Sequence, residues 1–381
     1  MISKFRIGVL VIILNFFASV AMIWGQDNPS LLQMAVPSLN IAPDARGGGM
    51  GDMGAATLPD INSQYWNAAK YAFMGSKAGV SLSYTPWLRK LVNDVALVNM
   101  TGYYKLGNSD LQAISASLRY FSLGEVNIWE NIGDVPYGLN PYEMAFDVAY
   151  SRKLSESYSM AVTLRYIRSD MGTDQNDESN AGNAFSADIS GYLEKYVLMG
   201  NAEALWSFGF NLSNIGSKIS YDGGNTNQYL PAKLTLGTGL LYPIDDYNQI
   251  GVYLDLNKYM VPYAPQKEEG ETDADYQTRV DDYKSWSSLS GMLKSFTDSP
   301  NGLLKEIMVS VGAEYSYNQQ FFYENANVGN RKYFSVGAGF RMSVFQLDAA
   351  YLISTVPQNP LDQTLRFSLS FDMDGIKNLF R

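Results

Sequence analysis

The sequence predicts an all-β fold: a transmembrane β-barrel of 14 antiparallel strands with an N-terminal plug-like segment. Three observations carry this. A two-residue rhythm recurs along most of the chain, as in Ile307, Val309, Val311, Ala313, Tyr315 and Tyr317, interleaved with Met308, Ser310, Gly312, Glu314 and Ser316. Successive strand side chains point to opposite faces, so each such run has one apolar face and one small or polar face. Connections between these runs alternate between short and long, as they do in barrels with tight periplasmic turns and extended outer loops. Finally, no run after the N-terminus is apolar enough to span a membrane as a helix, while the chain carries 27 Tyr and 13% aromatic residues. That tyrosine content suits the aromatic girdles of a barrel.

The elements follow in order. Residues 1–25 read as a secretory signal: Lys4 and Arg6 form a basic start, and Ile7 to Ala21 is apolar apart from Asn15 and Ser19. Cleavage after Ala21 or Gly25 fits, and Gly25 is favoured. Residues 26–76 do not alternate. They hold Pro37, Pro43 and Pro59 and the glycine run at 47–51, and read as a segment packed inside or under the barrel. The barrel occupies 77–372, with strands expected at 78–85, 94–105, 109–122, 142–154, 157–170, 184–198, 204–214, 230–243, 247–258, 306–318, 320–326, 332–343, 345–355 and 364–372. An even count returns the chain to its starting side, so both barrel termini are expected to be periplasmic. A short tail, 373–381, follows.

The longest connection, 259–305, is acidic in its middle (Glu268, Glu269, Glu271, Asp273, Asp275, Asp281, Asp282). Trp286, Leu289, Met292, Leu293 and Phe296 then recur at the spacing of an amphipathic helix. One reading is a solvated loop that shields the barrel; the other is a docking or gating element, because loops of this length are often functional.

Composition excludes much chemistry. The chain has no His and no Cys, which removes imidazole acid–base catalysis, Ser-His-Asp triads, thiolate chemistry, disulfides and Cys- or His-liganded zinc. An enzyme is therefore not expected, an outer-membrane lipid hydrolase included, since activating a serine needs such a base. The visible carboxylate pairs, Asp245 with Asp246 and Asp281 with Asp282, fall in a turn and a loop and read as solvated. The formal charge of -10 argues against nucleic acid as a partner. Gly49 to Gly54 spells a dinucleotide fingerprint, but no strand precedes it and no βαβ unit surrounds it. No cofactor or metal is expected.

The run Pro43, Asp44, Ala45, Arg46, Gly47, Gly48, Gly49, Met50, Gly51, Asp52, Met53, Gly54, followed by Asn62 to Ala69, resembles the N-terminal signature of the PorV family. Those proteins are outer-membrane barrels of the type IX secretion system of Bacteroidetes, related in fold to FadL long-chain fatty-acid channels. Ala68 departs from the pattern, standing where proline is expected. The resemblance implies signature residues Pro43, Asp44, Arg46, Gly47, Gly49, Gly51 and Asn67. It also implies a set of partners: a large translocon barrel (SprA- or Sov-like), the C-terminal domains of secreted cargo, and a cell-surface attachment complex of sortase-like PorU with PorQ and PorZ. Outer-membrane lipid surrounds the barrel. No binding residue transfers by motif, so cargo contacts are placed by geometry on the loop aromatics Trp87, Trp129, Tyr137, Tyr259, Tyr263 and Trp286. An interfacial girdle or loop self-packing is the competing reading for these. The competing function is a FadL-like transporter of long-chain fatty acids or other hydrophobic small molecules.

Overall fold

The computed structural model describes residues 32–375, apart from 88–93, 108–109, 129–136, 173–180, 225–226, 299–301, 319–320, 329–332, 343 and 355–363. The expected signal segment and most of the expected tail lie outside the described residues.

Fourteen strands form a closed antiparallel barrel. In chain order they are β1 (Ala78–Pro86), β2 (Val95–Leu106), β3 (Gln112–Leu123), β6 (Tyr142–Lys153), β7 (Tyr158–Asp170), β8 (Gly182–Met199), β9 (Ala202–Gly216), β10 (Lys233–Pro243), β11 (Asn248–Tyr259), β12 (Met308–Tyr317), β13 (Phe321–Val328), β14 (Tyr333–Arg341), β15 (Phe345–Ser354) and β16 (Leu365–Asp372). A small hairpin, β4 (Val126–Ile128) with β5 (Tyr137–Leu139), stands in the β3–β6 connection. Closure is made by β1, which pairs with β2 on one edge (Leu82↔Met100) and β16 on the other (Leu82↔Leu369). Every strand thus has two neighbours and no ladder edge is left open along the wall, the condition for a sheet to sit in hydrocarbon.

The wall is inverted relative to a soluble protein. On β1, Ser81, Ser83 and Thr85 are buried, while Leu82 between them is 52% exposed. On β12, Ser310, Glu314 and Ser316 point inward and Tyr315 and Tyr317 outward. Small and polar side chains fill the interior; apolar ones form the outer surface, as lipid requires. Among the described residues no helix is long and apolar enough to cross a membrane.

Six connections of two to five residues lie at one end of the barrel, together with the start of β1 and the end of β16. The β10–β11 turn is built by Asp245, whose Oδ1 accepts from the backbone N–H of Tyr247 (2.9 Å) and Asn248 (2.8 Å). The β8–β9 and β12–β13 turns use left-handed residues, Gly200 (φ 67°) and Asn318 (φ 50°), which close a hairpin with the twist of its strands.

The other end carries the long connections, and here one expectation is corrected. The 259–305 stretch is not a bare loop with one amphipathic helix over 286–296. Helix α3 (Asp273–Ser285) forms on the acidic run itself, and a separate short helix, α4 (Ser288–Lys294), follows. Two shorter helices precede these in the chain, α1 (Ala45–Gly49) and α2 (Ser63–Trp66).

Local chemistry explains α3, which buries no residue. Thr272 caps it by accepting from the Asp275 N–H, Asp273 and Asp275 sit at the positive end of the helix dipole, and Lys284 sits at the negative end. Trp286 then adopts an extended conformation and Ser287 caps α4, accepting from the Ser290 N–H, so the expected stripe is broken between its first and second members. Of that stripe only Met292 is buried; Leu289 and Leu293 are exposed.

Candidate functional site: the filled lumen and the long-connection rim

Residues 35–76 lie within the ring of strands. Their hydrogen-bond partners stand on all sides of it: Ala45 N–H donates to Ser368 Oγ on β16, Ser335 Oγ on β14 to Gly49 O, Gly54 N–H to Asp255 on β11, Ser207 Oγ on β9 to Ala56 O, Asn67 to Gly191 O on β8, and Gln64 to Asp147 on β6. A segment tied to opposite walls occupies the lumen.

The signature residues are the ties. Asp44 caps α1, accepting from Gly47 N–H (2.7 Å) and from the Trp66 indole N–H (2.7 Å). Gly47 and Gly54 both lie against the Trp66 ring, where a Cβ would come within 2.5 and 2.4 Å of its carbons. Only glycine lets the backbone approach the indole this closely. Gly49 ends α1 and presents its carbonyl to Ser335. Gly51 takes φ 79°, and Pro43 is buried beside Asp44.

Arg46 is the main bridge to the wall. Its guanidinium pairs with Asp60 (2.7 Å) and with Glu314 on β12 (2.8 Å), all three side chains nearly dry. Asn67 donates to Ala55 O and Gly191 O and accepts from the Ala69 N–H, so its amide is fully used. Sequence reasoning did not single out Trp66, Asp60, Lys70, Glu314 or Asp255. For Glu314 and Asp255 the available signal was a charged residue on the inward face of a strand, which must find a partner.

Burial decides the ionisation of this segment. It pushes Asp44 up to about 6, with the Asp60 carboxylate adding to the rise. Burial would raise Asp60 too, but the Lys70 ammonium and Arg46 guanidinium outweigh it and hold it below its usual range. Lys70, which donates to Gly54 O and Thr57 Oγ1, is brought down to about 8 by burial, against the pull of Asp60. Asp44 binds its proton more tightly folded than unfolded. Its contribution to stability is therefore full below the ordinary value of 3.8 and is lost as pH rises through about 6. Infrared titration of D44N against the parent protein should remove a protonated-carboxyl band that disappears near pH 6; identical spectra would contradict this assignment.

A second brace runs along the inner wall nearer the rim, across neighbouring strands. Arg165 on β7 pairs with Asp147 on β6 (3.0 Å) and Asp188 on β8 (2.8 Å) and donates to Asn214 at the β8–β9 irregularity. Arg119 donates to Ser38 O and Ile41 O and lies over the Tyr65 ring, fixing the start of the segment under the mouth.

The loop aromatics do not form one surface. Trp87 packs edge-on against Phe121 and lines a cavity of about 390 Å³ in the mouth, with Pro37, Ile41, Val95, Leu123 and the Asp52–Arg366 ion pair (3.0 Å) around it. Trp286 belongs elsewhere, in a cluster with Tyr283 and Tyr229 (5.7 Å between successive rings), capped by the Lys294 ammonium 3.9 Å from the indole centroid. Tyr259 ends β11 and Tyr263 follows it, both half-buried. Trp129 and the side chain of Tyr137 lie outside the described residues.

The geometry offers a braced, filled lumen and a structured rim. A family model described as "Type IX secretion system protein PorV" matches residues 25–267. No match is found among curated proteins. Among solved structures the chain is similar to the toluene transporter TbuX of Ralstonia pickettii (12% identity, TM-score 0.46, 88% of this chain and 99% of that one). It is also similar to the toluene transporter TodX of Pseudomonas putida (9%, 0.49, 85% and 96%) and to a FadL homologue of Pseudomonas aeruginosa (11%, 0.43, 90% and 100%).

Proposed function

The chain belongs to the PorV family of type IX secretion system proteins, and from that premise we propose that it is a non-enzymatic outer-membrane shuttle for secreted proteins. In this reading it takes the C-terminal domain of exported cargo at a large translocon barrel and passes it to the surface attachment complex containing sortase-like PorU. Residues 1–25 are the signal, 26–76 the plug, 77–372 the barrel and 373–381 a tail. The short turns and both barrel termini face the periplasm, and the 259–305 insertion faces outward.

The observation that carries the reading is the filling of the lumen. Ties from Ala45 to Asn67 reach β6, β8, β9, β11, β12, β14 and β16, so the surface left for a protein partner is the rim and not the pore. α3 adds to it: a helix with no buried residue, projecting from the insertion, offers a face that the barrel itself does not use. Deleting the gene should trap cargo in the periplasm, whereas normal surface display in the deletion strain would refute the shuttle. The orientation is checked by a cysteine at Asp275, which should be labelled from outside intact cells.

The mouth cavity beside Trp87 supports a second reading, a transporter of hydrophobic small molecules. Its walls are largely apolar and its floor holds Arg366 and Asp52, a combination suited to an amphiphile. Uptake of a labelled fatty acid by the reconstituted protein separates the two; no uptake with retained cargo binding leaves the shuttle.

A further inference from the structure

The insertion between β11 and β12 does not simply rise from the rim. It folds back onto the outside of the wall. On β9 and β10, Asn211, Ser213, Lys233 and Thr235 line the lumen, so Leu212 and Leu234, which pair with each other across the two strands, point outward. Met292 of α4 forms a buried cluster with Ala232 and Met260, and these outward leucines pack against it. Lys258 pairs across β10–β11 with Leu234 and by the same alternation also points outward. It is covered by the insertion: Glu306 pairs with it at 2.6 Å, and the Phe296 ring lies 5.3 Å from its ammonium.

The inner surface of the insertion is thus accounted for. Its outer surface is apolar where an aqueous loop would be polar. Leu289 and Leu293, one helical turn apart on α4, are 62% and 73% exposed, and Leu304, in the turn that delivers Glu306 to Lys258, is 83% exposed. This patch continues the lipid-facing belt. Leu236, the next outward residue down β10, is exposed and lies two residues below Leu234, roughly 7 Å along the strand. Around the patch stand Tyr283 and Trp286, with Lys284, Lys294 and Lys305, the residue types that settle at the boundary of hydrocarbon and headgroups.

We propose that α4 and the 303–306 turn are an interfacial lipid anchor: Leu289, Leu293 and Leu304 sit in the leaflet at the long-connection rim, with Lys284, Lys294 and Lys305 at headgroup level. This rests only on the barrel residing in lipid and not on the shuttle role. It leaves α3, up to its last turn, as the part of the insertion standing in water, and so divides the insertion into a membrane-bound half and a free half.

The absence of native cysteine makes the test direct. Single variants L289C, L293C and L304C are labelled with an environment-sensitive fluorophore and placed in nanodiscs of phosphatidylethanolamine and phosphatidylglycerol carrying doxyl-labelled acyl chains. L236C on the barrel belt and D275C on α3 serve as lipid and water references, and heat-modifiable gel migration confirms that each variant is folded. The three insertion labels should be quenched like L236C, and D275C should not. Insertion labels that behave like D275C while L236C is quenched would overturn the anchor and leave the leucine patch for a protein partner. Loss of quenching at L236C as well would instead contradict the placement of the barrel in lipid.

Discussion

Replacing Arg46 with alanine is expected to detach the N-terminal segment from the barrel wall. The guanidinium is shared between Asp60, from the same segment, and Glu314, from β12, in a site where all three groups are out of water. Ionised carboxylates are tolerated there because the positive charge lies between them. Alanine leaves two buried acids facing an empty position, and removing one partner of a buried ionic group costs about 3–5 kcal/mol. E314A should cost less, because Arg46 keeps Asp60. The measurements are the urea midpoint of the reconstituted barrel and chymotrypsin cleavage within residues 32–76, which keeps all its aromatic and leucine sites in the variant. R46A should lower the midpoint and open the segment to chymotrypsin without destroying the barrel. An unchanged midpoint with full protection would show that Arg46 is not the bridge.

The strands were legible because their signal is local. Alternation in Phe334, Val336, Ala338 and Phe340 against Ser335, Gly337 and Gly339 needs no knowledge of what lies opposite, and the short–long order of connections then sets the direction of each strand. α3 was missed because its support is also local but of another kind: a Thr cap, an acidic first turn and a basic last turn, with no apolar stripe to announce a helix. The signature was legible as a tight, glycine-rich segment, and its ties were not. Arg46 reaches Glu314 across 268 positions and Gly54 reaches Asp255 across 201, and nothing in either stretch states which inward-facing acid meets which part of the segment. Trp87 and Trp286 looked alike as loop aromatics, yet one turns into the mouth against Phe121 and the other packs on the rim with Tyr283. Their fates were set by the path of the connecting backbone.

Gly209 provides the sharpest mechanical test of the filled lumen. Gly209 on β9 and Gly237 on β10 are cross-strand partners and make a flat patch inside the wall. The backbone of Ala55 and Ala56 lies on that patch, held by Asp255 from one strand and Ser207 from another. A Cβ at Gly209 would stand 1.9 Å from the Ala55 carbonyl oxygen, a contact with a backbone atom that no side-chain rotation relieves. Overpacking of this kind costs typically about 1–3 kcal/mol where neighbours can give way. Here Ala55 is also fixed by Asn67, so the strain falls on the whole segment. Gly209→Val should lift 50–60 off the wall, and the exposed interior, lined by Ser, Asp and Arg side chains, should fill with water. In planar lipid bilayers the parent protein is expected to conduct ions poorly and G209V to show open-channel steps, approached but not exceeded by G209A. A variant lacking residues 33–76 sets the upper limit of conductance for the unfilled ring. If G209V conducts no more than the parent while the deletion conducts freely, the segment has yielded locally and its hold on the wall rests on Arg46 and Asp255 rather than on the glycine patch.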